Sequence, residues 1–439
     1  MSVTDKLNAI KTAKTNIKQA IINKGVTFDG TEIFDDYADK IREIGPDIPA
    51  ATLTVTQDGT YNVTNYTSAI VNNSSAVGIP MRVVDGIYGK RGGTFTLPSN
   101  ATDIDSDILR GAFSSCTSLT SVNLSSLTSV SGTYAMYSAF RSCTSLTSVD
   151  LSSLTTVSGT YAMYSVFAFC NKLTSVDLSS LTTIGGNSAM SNAFSNTGLT
   201  SVDLSSLTTI SGDEGLENAF SSCTSLTSVD LSGLLSSGQR SLQSTFSSCT
   251  SLTSVDLSNL TTIDGLQSMY GTFTSCPLTH ISFPSLTTIA GFNAMLQAFQ
   301  SCGALHTVEF PSLQRIGSNN YSKYDSRQFV QAFKDCAKLT SITFPKLEEI
   351  YCTSSNTTEG TFYQNDKIQK MYFPKLNKIT YSSGASAAQQ TACKYIFNGC
   401  SSLTELHFAS ANQAAIEANP GYSTAWGRGA GNVTIYFDL

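Results

Sequence analysis

Residues Ala139–Val157 read Ala-Phe-Arg-Ser-Cys-Thr-Ser-Leu-Thr-Ser-Val-Asp-Leu-Ser-Ser-Leu-Thr-Thr-Val, and versions of this stretch recur along most of the 439-residue chain. Phe113, Phe140, Phe167, Phe194, Phe220, Phe246, Phe273, Phe299, Phe333, Phe362 and Phe397 each open a copy. The spacing is 26 or 27 residues up to Phe299 and 29–35 beyond it. A fixed period of this length marks a solenoid, because one unit cannot bury its own apolar face and must stack on its neighbours.

Each copy carries one apolar skeleton, Phe-x-x-Cys-x-x-Leu-x-x-Val-x-Leu-x-x-Leu-x-x-Ile, seen in Phe140, Cys143, Leu146, Val149, Leu151, Leu154 and Val157. The Val-x-Leu step has strand alternation with both side chains on the buried face. The x-x steps around it turn the chain and return every third residue to the inside. The expectation is a curved solenoid whose short strands line up as one parallel sheet.

Leu146-x-x-Val149-x-Leu151 resembles the strand of a leucine-rich repeat. The Phe-x-x-Cys lead-in and the Ser-Leu-Thr-Ser-Val segment resemble the BspA-like subclass, over about Phe95–Phe408. That subclass is known from bacterial surface proteins and phage tail proteins. The segment between Ile or Val and the next Phe is longer than the family's usual repeat. The resemblance implies the leucine-rich repeat solenoid; function does not transfer with a repeat fold.

Charged residues make up 13% of the chain and the net charge is −6, so there is no basic footprint for nucleic acid and no polybasic membrane patch. No apolar run is long enough to cross a membrane as a helix. Met1–Lys24 lacks the compact apolar region of a secretory signal, so synthesis and folding in a bacterial cytoplasm are expected. Nine of the eleven cysteines sit at one repeat position, from Cys116 and Cys143 to Cys336 and Cys400, with Thr197 and Asn365 in the other two copies. They read as a ladder of small buried thiols rather than metal ligands, since no Cys-x-x-Cys pair exists. Cys352 and Cys393 lie off the ladder.

The chain divides into residues 1–50, a helical attachment or oligomerisation region; 51–80, a β-hairpin and linker; 81–408, the solenoid; and 409–439, a C-terminal cap. Ser2–Asn23 reads as a helix with Leu7, Ile10, Ile17 and Ile21 on one stripe, and Phe34–Ile44 as a second. Leu53–Val55 and Tyr61–Val63 flank Asp58-Gly59, a two-residue hairpin signal. Phe95-Thr-Leu97-Pro98-Ser reads as a degenerate first repeat. Ala409–Ala418 reads as a short helix and Asn432–Leu439 as a closing strand, with Trp426 packed in that cap. Met1–Asn72 resembles the N-terminal attachment region of phage tail and baseplate proteins. The carrying segments are Leu7-Asn-Ala-Ile10-Lys-x-Ala-Lys, Asp36-Tyr-Ala-Asp-Lys-Ile41 and Thr54-Val-Thr-Gln-Asp-Gly-Thr-Tyr61-Asn-Val63. The other reading of this segment is a generic dimerisation arm.

No catalytic constellation emerges, and neither a cofactor nor a metal site is expected. His280, His306 and His407 occupy three different repeat positions and read as surface residues. The glycine-rich Gly86–Gly93 lacks the Gly-Lys-Ser/Thr of a phosphate loop. Two surfaces remain. Asp150, Asp177, Asp203, Asp230 and Asp256 face solvent from successive strands about 4.8 Å apart, as a solubilising stripe or as a site for calcium or a basic partner. Tyr134, Tyr137, Tyr161, Tyr164 and Tyr270 lie in the inter-repeat segments amid Ser, Gly and Asn, the composition of adaptable binding loops, or else they fill the convex side of the core. The expectation is a non-enzymatic phage tail-fibre or baseplate-associated protein in the virion. It would be attached to other tail proteins through its N-terminus, as a homo-oligomer with trimer as first choice, and would bind a host surface glycan or protein. The alternative is a BspA-like bacterial cell-surface adhesin.

Overall fold

The computed structural model describes residues 52–55, 68–71, 93–97, 101–105, 107, 109–317, 328–352, 361–381, 396–419, 422 and 433–439. The helices expected within residues 2–44, the Asp58-Gly59 turn, Tyr321, Tyr324, Cys393 and Trp426 lie outside them.

Each copy is one coil with three walls. The first is the Val strand, such as Ser148–Asp150 or Ser228–Asp230. The second is a two-residue strand that the repeat skeleton did not announce, such as Thr156–Val157 or Thr183–Ile184. These short strands stack in register as one 11-stranded parallel sheet from Asp103–Ile104 to Lys378–Tyr381. The expected single sheet is therefore two strand walls. The cause is that both Val149 and Val157 point inward, and the chain turns at Leu151–Leu154 between them.

The Val wall is split into sheets of six, three and six strands. The divisions fall between Ser175–Val176 and Ser201–Asp203 and between Ser254–Asp256 and His280–Ser282. The sequence accounts for both. Phe140 to Leu146 spans six positions, whereas Phe194 to Leu199 and Phe273 to Leu278 span five. The shortened corner changes the approach of the following strand.

The third wall is the segment between Ile or Val and the next Phe. It is a ribbon of turns in which every fourth residue takes the left-handed conformation: Tyr134 (φ 58°), Ser138 (52°) and Ser142 (60°). Such a conformation costs of order 1–3 kcal/mol at a non-glycine residue. It persists because the ribbon satisfies its backbone. The amides of Tyr134, Met136, Ser138 and Phe140 donate to carbonyls of the next copy at 2.7–2.9 Å. The intervening amides of Ala135, Tyr137, Ala139 and Arg141 donate three residues back within their own copy. No peptide group of this stretch is left to be desolvated without a partner.

The core runs along the axis as ladders of like residues. Phe113, Phe140 and Phe167 stack at 5.2 and 5.3 Å between ring centroids, and the column continues to Phe333. Each such ring contributes about 1.5–3 kcal/mol by burial. The cysteines form the expected buried ladder, and from Cys143 onward each also makes a bond that sequence does not reveal. The Cys143 thiol donates to Phe113 O at 3.1 Å, Cys170 to Phe140 O at 3.2 Å and Cys302 to Phe273 O at 3.0 Å. Where Cys is replaced, a polar side chain instead bonds the opening Phe carbonyl of its own copy, and Asn365 also reaches back to the copy before. Thr197 Oγ1 donates to Phe194 O at 2.8 Å, and Asn365 Nδ2 to Phe362 O at 2.8 Å and Phe329 O at 3.0 Å. Threonine has a similar task on the surface: Thr155 Oγ1 donates to Thr128 O and Thr182 Oγ1 to Thr155 O, each at 3.0 Å.

At the N-terminal end, β1 (Thr52–Val55), β2 (Ser68–Val71) and β3 (Gly93–Thr96) continue the Val wall in parallel. A two-residue turn cannot make the parallel β1–β2 connection. Phe95 is buried and sits 4.6 Å from Phe113, as a degenerate first repeat requires. At the other end, Gln413–Glu417 is a short helix and Thr434–Phe437 adds the last parallel strand beside Glu405–Phe408.

Candidate ligand-binding face

Four of the five singled-out tyrosines come together on the turn wall. Tyr134 stacks on Tyr161 (5.2 Å, 1° between planes) and Tyr137 on Tyr164 (4.9 Å, 6°). Within a copy the two rings meet edge to face, at 5.6 and 5.7 Å. Arg110 lies over Tyr134 at 4.6 Å and ends the column on that side. All four rings are half-buried on the outer side of the ribbon, whose inner side is Ala135, Met136, Ala139 and Phe140. They are therefore not core residues. Nor do they form separate stacking subsites, because one copy's ring already occupies the face of the next. Burial pushes the Tyr164 hydroxyl pKa up, with the Tyr137 and Glu217 charges adding to it. Tyr270 stands alone further along, between Gln243 and Leu296 in its column.

The aspartates hold their strand ends. Asp150, Asp177, Asp203, Asp230 and Asp256 each accept the amide of the serine two residues on, at 2.9–3.1 Å. Asn123 accepts the Ser125 amide at 3.0 Å in the same way. An uncharged side chain thus performs the same turn-closing task, so the fold needs an oxygen there rather than a charge. The Ser205 hydroxyl and amide hold the Asp203 carboxyl below its ordinary pKa. Among the described residues no group of three or more His, Cys, Asp or Glu is placed to hold a metal ion. An open groove of about 620 Å³ does cross the Val wall at its second division, with Asp230, Asp256 and His280 on its lining.

His280 and His306 are exposed, but His407 is not. It lies between the rings of Tyr372 (4.5 Å) and Tyr436 (4.7 Å), with Nδ1 3.0 Å from Asp438 and Nε2 3.1 Å from Glu405. Its strand position was expected to face solvent. The closing strand Thr434–Phe437 brings Tyr436 over it and covers it.

Sequence reasoning missed Arg110, Arg141 and Phe169, which border the tyrosine columns. The guanidinium of Arg141 lies 4.6 Å from the Phe169 centroid. The available signal was positional: Phe169 stands where the neighbouring copies have Ser142 and Asn196. The stripe Leu7, Ile10, Ile17 and Ile21 lies outside the described residues.

The model of the BspA type leucine rich repeat region matches six times, over residues 88–214, 165–265, 190–295, 217–330, 269–387 and 330–419. The chain belongs to the BspA-type leucine-rich repeat family. Among solved structures it is similar to a leucine-rich cell surface protein of Faecalibacterium prausnitzii, at 17% identity over 83% of this chain and 90% of that one, with a TM-score of 0.29. It is also similar to an internalin of Listeria monocytogenes (15% identity, 79% and 78% covered, TM-score 0.28) and a leucine-rich repeat protein of Eubacterium ventriosum (15%, 71% and 83%, 0.28). No curated protein sequence matches the chain. Among the described residues no helix is long and apolar enough to cross a membrane. In this BspA-type solenoid the Val strand wall is near-identical through the first six copies, and over those copies the outer side of the turn wall varies.

Proposed function

We propose that the chain is a recognition protein of the BspA adhesin kind, which binds a ligand at a cell surface through its turn wall and performs no catalysis. The observation that carries this reading is the half-buried, outward-facing platform of Tyr134, Tyr137, Tyr161 and Tyr164, bordered by Arg110. The packing of the repeats does not require it. The same ribbon is built with Ser188, Glu214, Arg240 and Gln267 in the column of Tyr134, each in the same left-handed conformation. Aromatic rings and arginine held rigidly on a surface are the side chains that supply most binding energy at interfaces. A host surface glycan or protein is the class of ligand such a shallow, elongated face suits. The test is to change the four tyrosines to serine and measure binding of the full chain to bacterial and animal cells, together with thermal stability. Lost binding with stability retained supports the reading. Unchanged binding rejects this face.

Presentation by a phage tail is a second arrangement for the same surface, favoured by the Leu7–Lys14 and Thr54–Val63 segments. In it the Leu7, Ile10, Ile17 and Ile21 stripe makes the attachment and a trimer is expected. Electron microscopy of the purified protein tests it: solenoids joined at their N-terminal ends support attachment through this segment, and single solenoids count against it.

A further inference from the structure

The residue two places after the opening Phe of each copy is left-handed throughout: Ser115, Ser142, Asn196, Ser222, Ser248 and Ser275 are examples. These are small or amide residues, which tolerate that conformation. Phe169 occupies the same position with φ 62°. It is 38% exposed, whereas Phe140 and Phe167 of the core column are fully buried. The fold does not require a phenylalanine at this position, because other copies build the same turn with serine, and a bulky side chain retained in a strained conformation points to function.

Its surroundings form a step. Arg141 of the preceding copy covers one face of Phe169 at 4.6 Å, as Tyr137 covers one face of Tyr164 at 4.9 Å. The aromatic column then stops, because the third copy has Ser191 where the first two have Tyr137 and Tyr164. The uncovered faces of Phe169 and Tyr164 are thus both turned along the axis toward the third copy. There they border an open groove of about 470 Å³ whose lining includes Asn192, Ser195, Asn196 and Asn218. The size is within the roughly 300–1,000 Å³ of small-ligand sites.

We infer that this groove holds a pyranose unit of a surface polysaccharide, its C–H face against Phe169 and its hydroxyls against the side chains of Asn192, Asn196 and Asn218. This rests on the recognition function proposed above and names its ligand. A pyranose offers a flat apolar face for a fixed ring and a rim of hydroxyls that both donate and accept, which is what side-chain amides do. The lining carries no carboxylate, and its one cation, Arg141, is stacked on Phe169. A charged peptide therefore finds little complementarity.

The experiment compares the full chain with Phe169→Ser and Phe169→Tyr on a printed array of bacterial and mammalian surface oligosaccharides, and on whole cells, with melting curves for each. The wild-type chain is expected to bind saccharides. Phe169→Ser weakens that binding about ten-fold or more while melting no lower than wild type, and Phe169→Tyr restores it. Saccharide binding unaffected by Phe169→Ser overturns the site. So does a large fall in its melting temperature, which makes Phe169 a folding residue. Wild type that binds cells but no saccharide overturns the ligand class and leaves the recognition function standing. Wild type that binds neither cells nor saccharide overturns both.

Discussion

Substituting Gly186 by alanine tests the stacking of the copies directly. Gly159, Gly186, Gly212, Gly238, Gly265 and Gly291 recur where the second strand enters the turn wall, and each faces the backbone of the copy before it. A methyl group at Gly186 falls 2.5 Å from the Gly159 carbonyl carbon and 2.7 Å from Ser158 O, with Gly159 O nearer still. Ordinary contact begins at about 3.4 Å, so the overlaps are about 0.9 Å (3.4 − 2.5) and 0.7 Å (3.4 − 2.7). The obstacle is main chain held on both sides, not a side chain free to rotate. Relief requires the two copies to part by nearly 1 Å, which stretches the Gly185 N–Val157 O bond (2.8 Å) and the Tyr161 N–Asn187 O bond (2.9 Å) beyond hydrogen-bonding length. Two lost bonds at about 0.5–1.5 kcal/mol each and overpacking at about 1–3 kcal/mol place the cost of Gly186→Ala at about 2–6 kcal/mol. Gly303 is the control, since a methyl group there meets nothing within 4 Å. Gly303→Ala should be neutral or add about 0.4–1 kcal/mol by restricting the unfolded chain. Denaturant midpoints followed by circular dichroism measure both. An unchanged midpoint for Gly186→Ala would refute the stacking register. Equal effects at the two glycines would show that backbone freedom, not close approach, is the reason for glycine.

Burial raises the pKa of the Cys249, Cys276, Cys302 and Cys336 thiols, that of Cys302 to about 12, so thiol reagents at pH 8 should label the ladder only after denaturation. The folded pKa lies above the unfolded value of about 8.5, so stability is complete below that pH and falls as pH rises toward 12. Rapid labelling of native protein, or a flat pH profile over that window, contradicts this. Asp203→Asn should change stability by less than about 0.5 kcal/mol, because Asn123 closes the same turn uncharged, whereas Asp203→Ala loses a bond of about 0.5–1.5 kcal/mol. A large loss with Asn would return importance to the charge. Removal of residues 1–72 takes away β1 and β2 and bares the edge of β3, so that chain should self-associate, while one lacking residues 1–50 should not. Equal behaviour of the two, by light scattering, would mean that β1 and β2 do not protect the edge.

The solenoid, its copy number, the Phe and Cys ladders and the degenerate first repeat were legible because each is a one-dimensional fact: an apolar residue at a fixed period must face a common core. The aspartates were legible as a solvent-facing column for the same reason. What the period could not carry was anything set by how neighbouring coils touch. The second strand wall has only two residues in all but its last two copies and no alternation to announce it. The glycine column is a matter of main-chain proximity between coils, and sequence shows only that Gly recurs. His407 looked exposed until the closing strand covered it, a contact between residues about thirty positions apart. The tyrosines were visible as candidates, but only the axial spacing of the coils shows that their rings consume one another's faces and that the column ends in a step beside Phe169. The repeat therefore determined which side chains lie inside. Coil-to-coil geometry, a property of no single copy, decided which surfaces remain open for recognition.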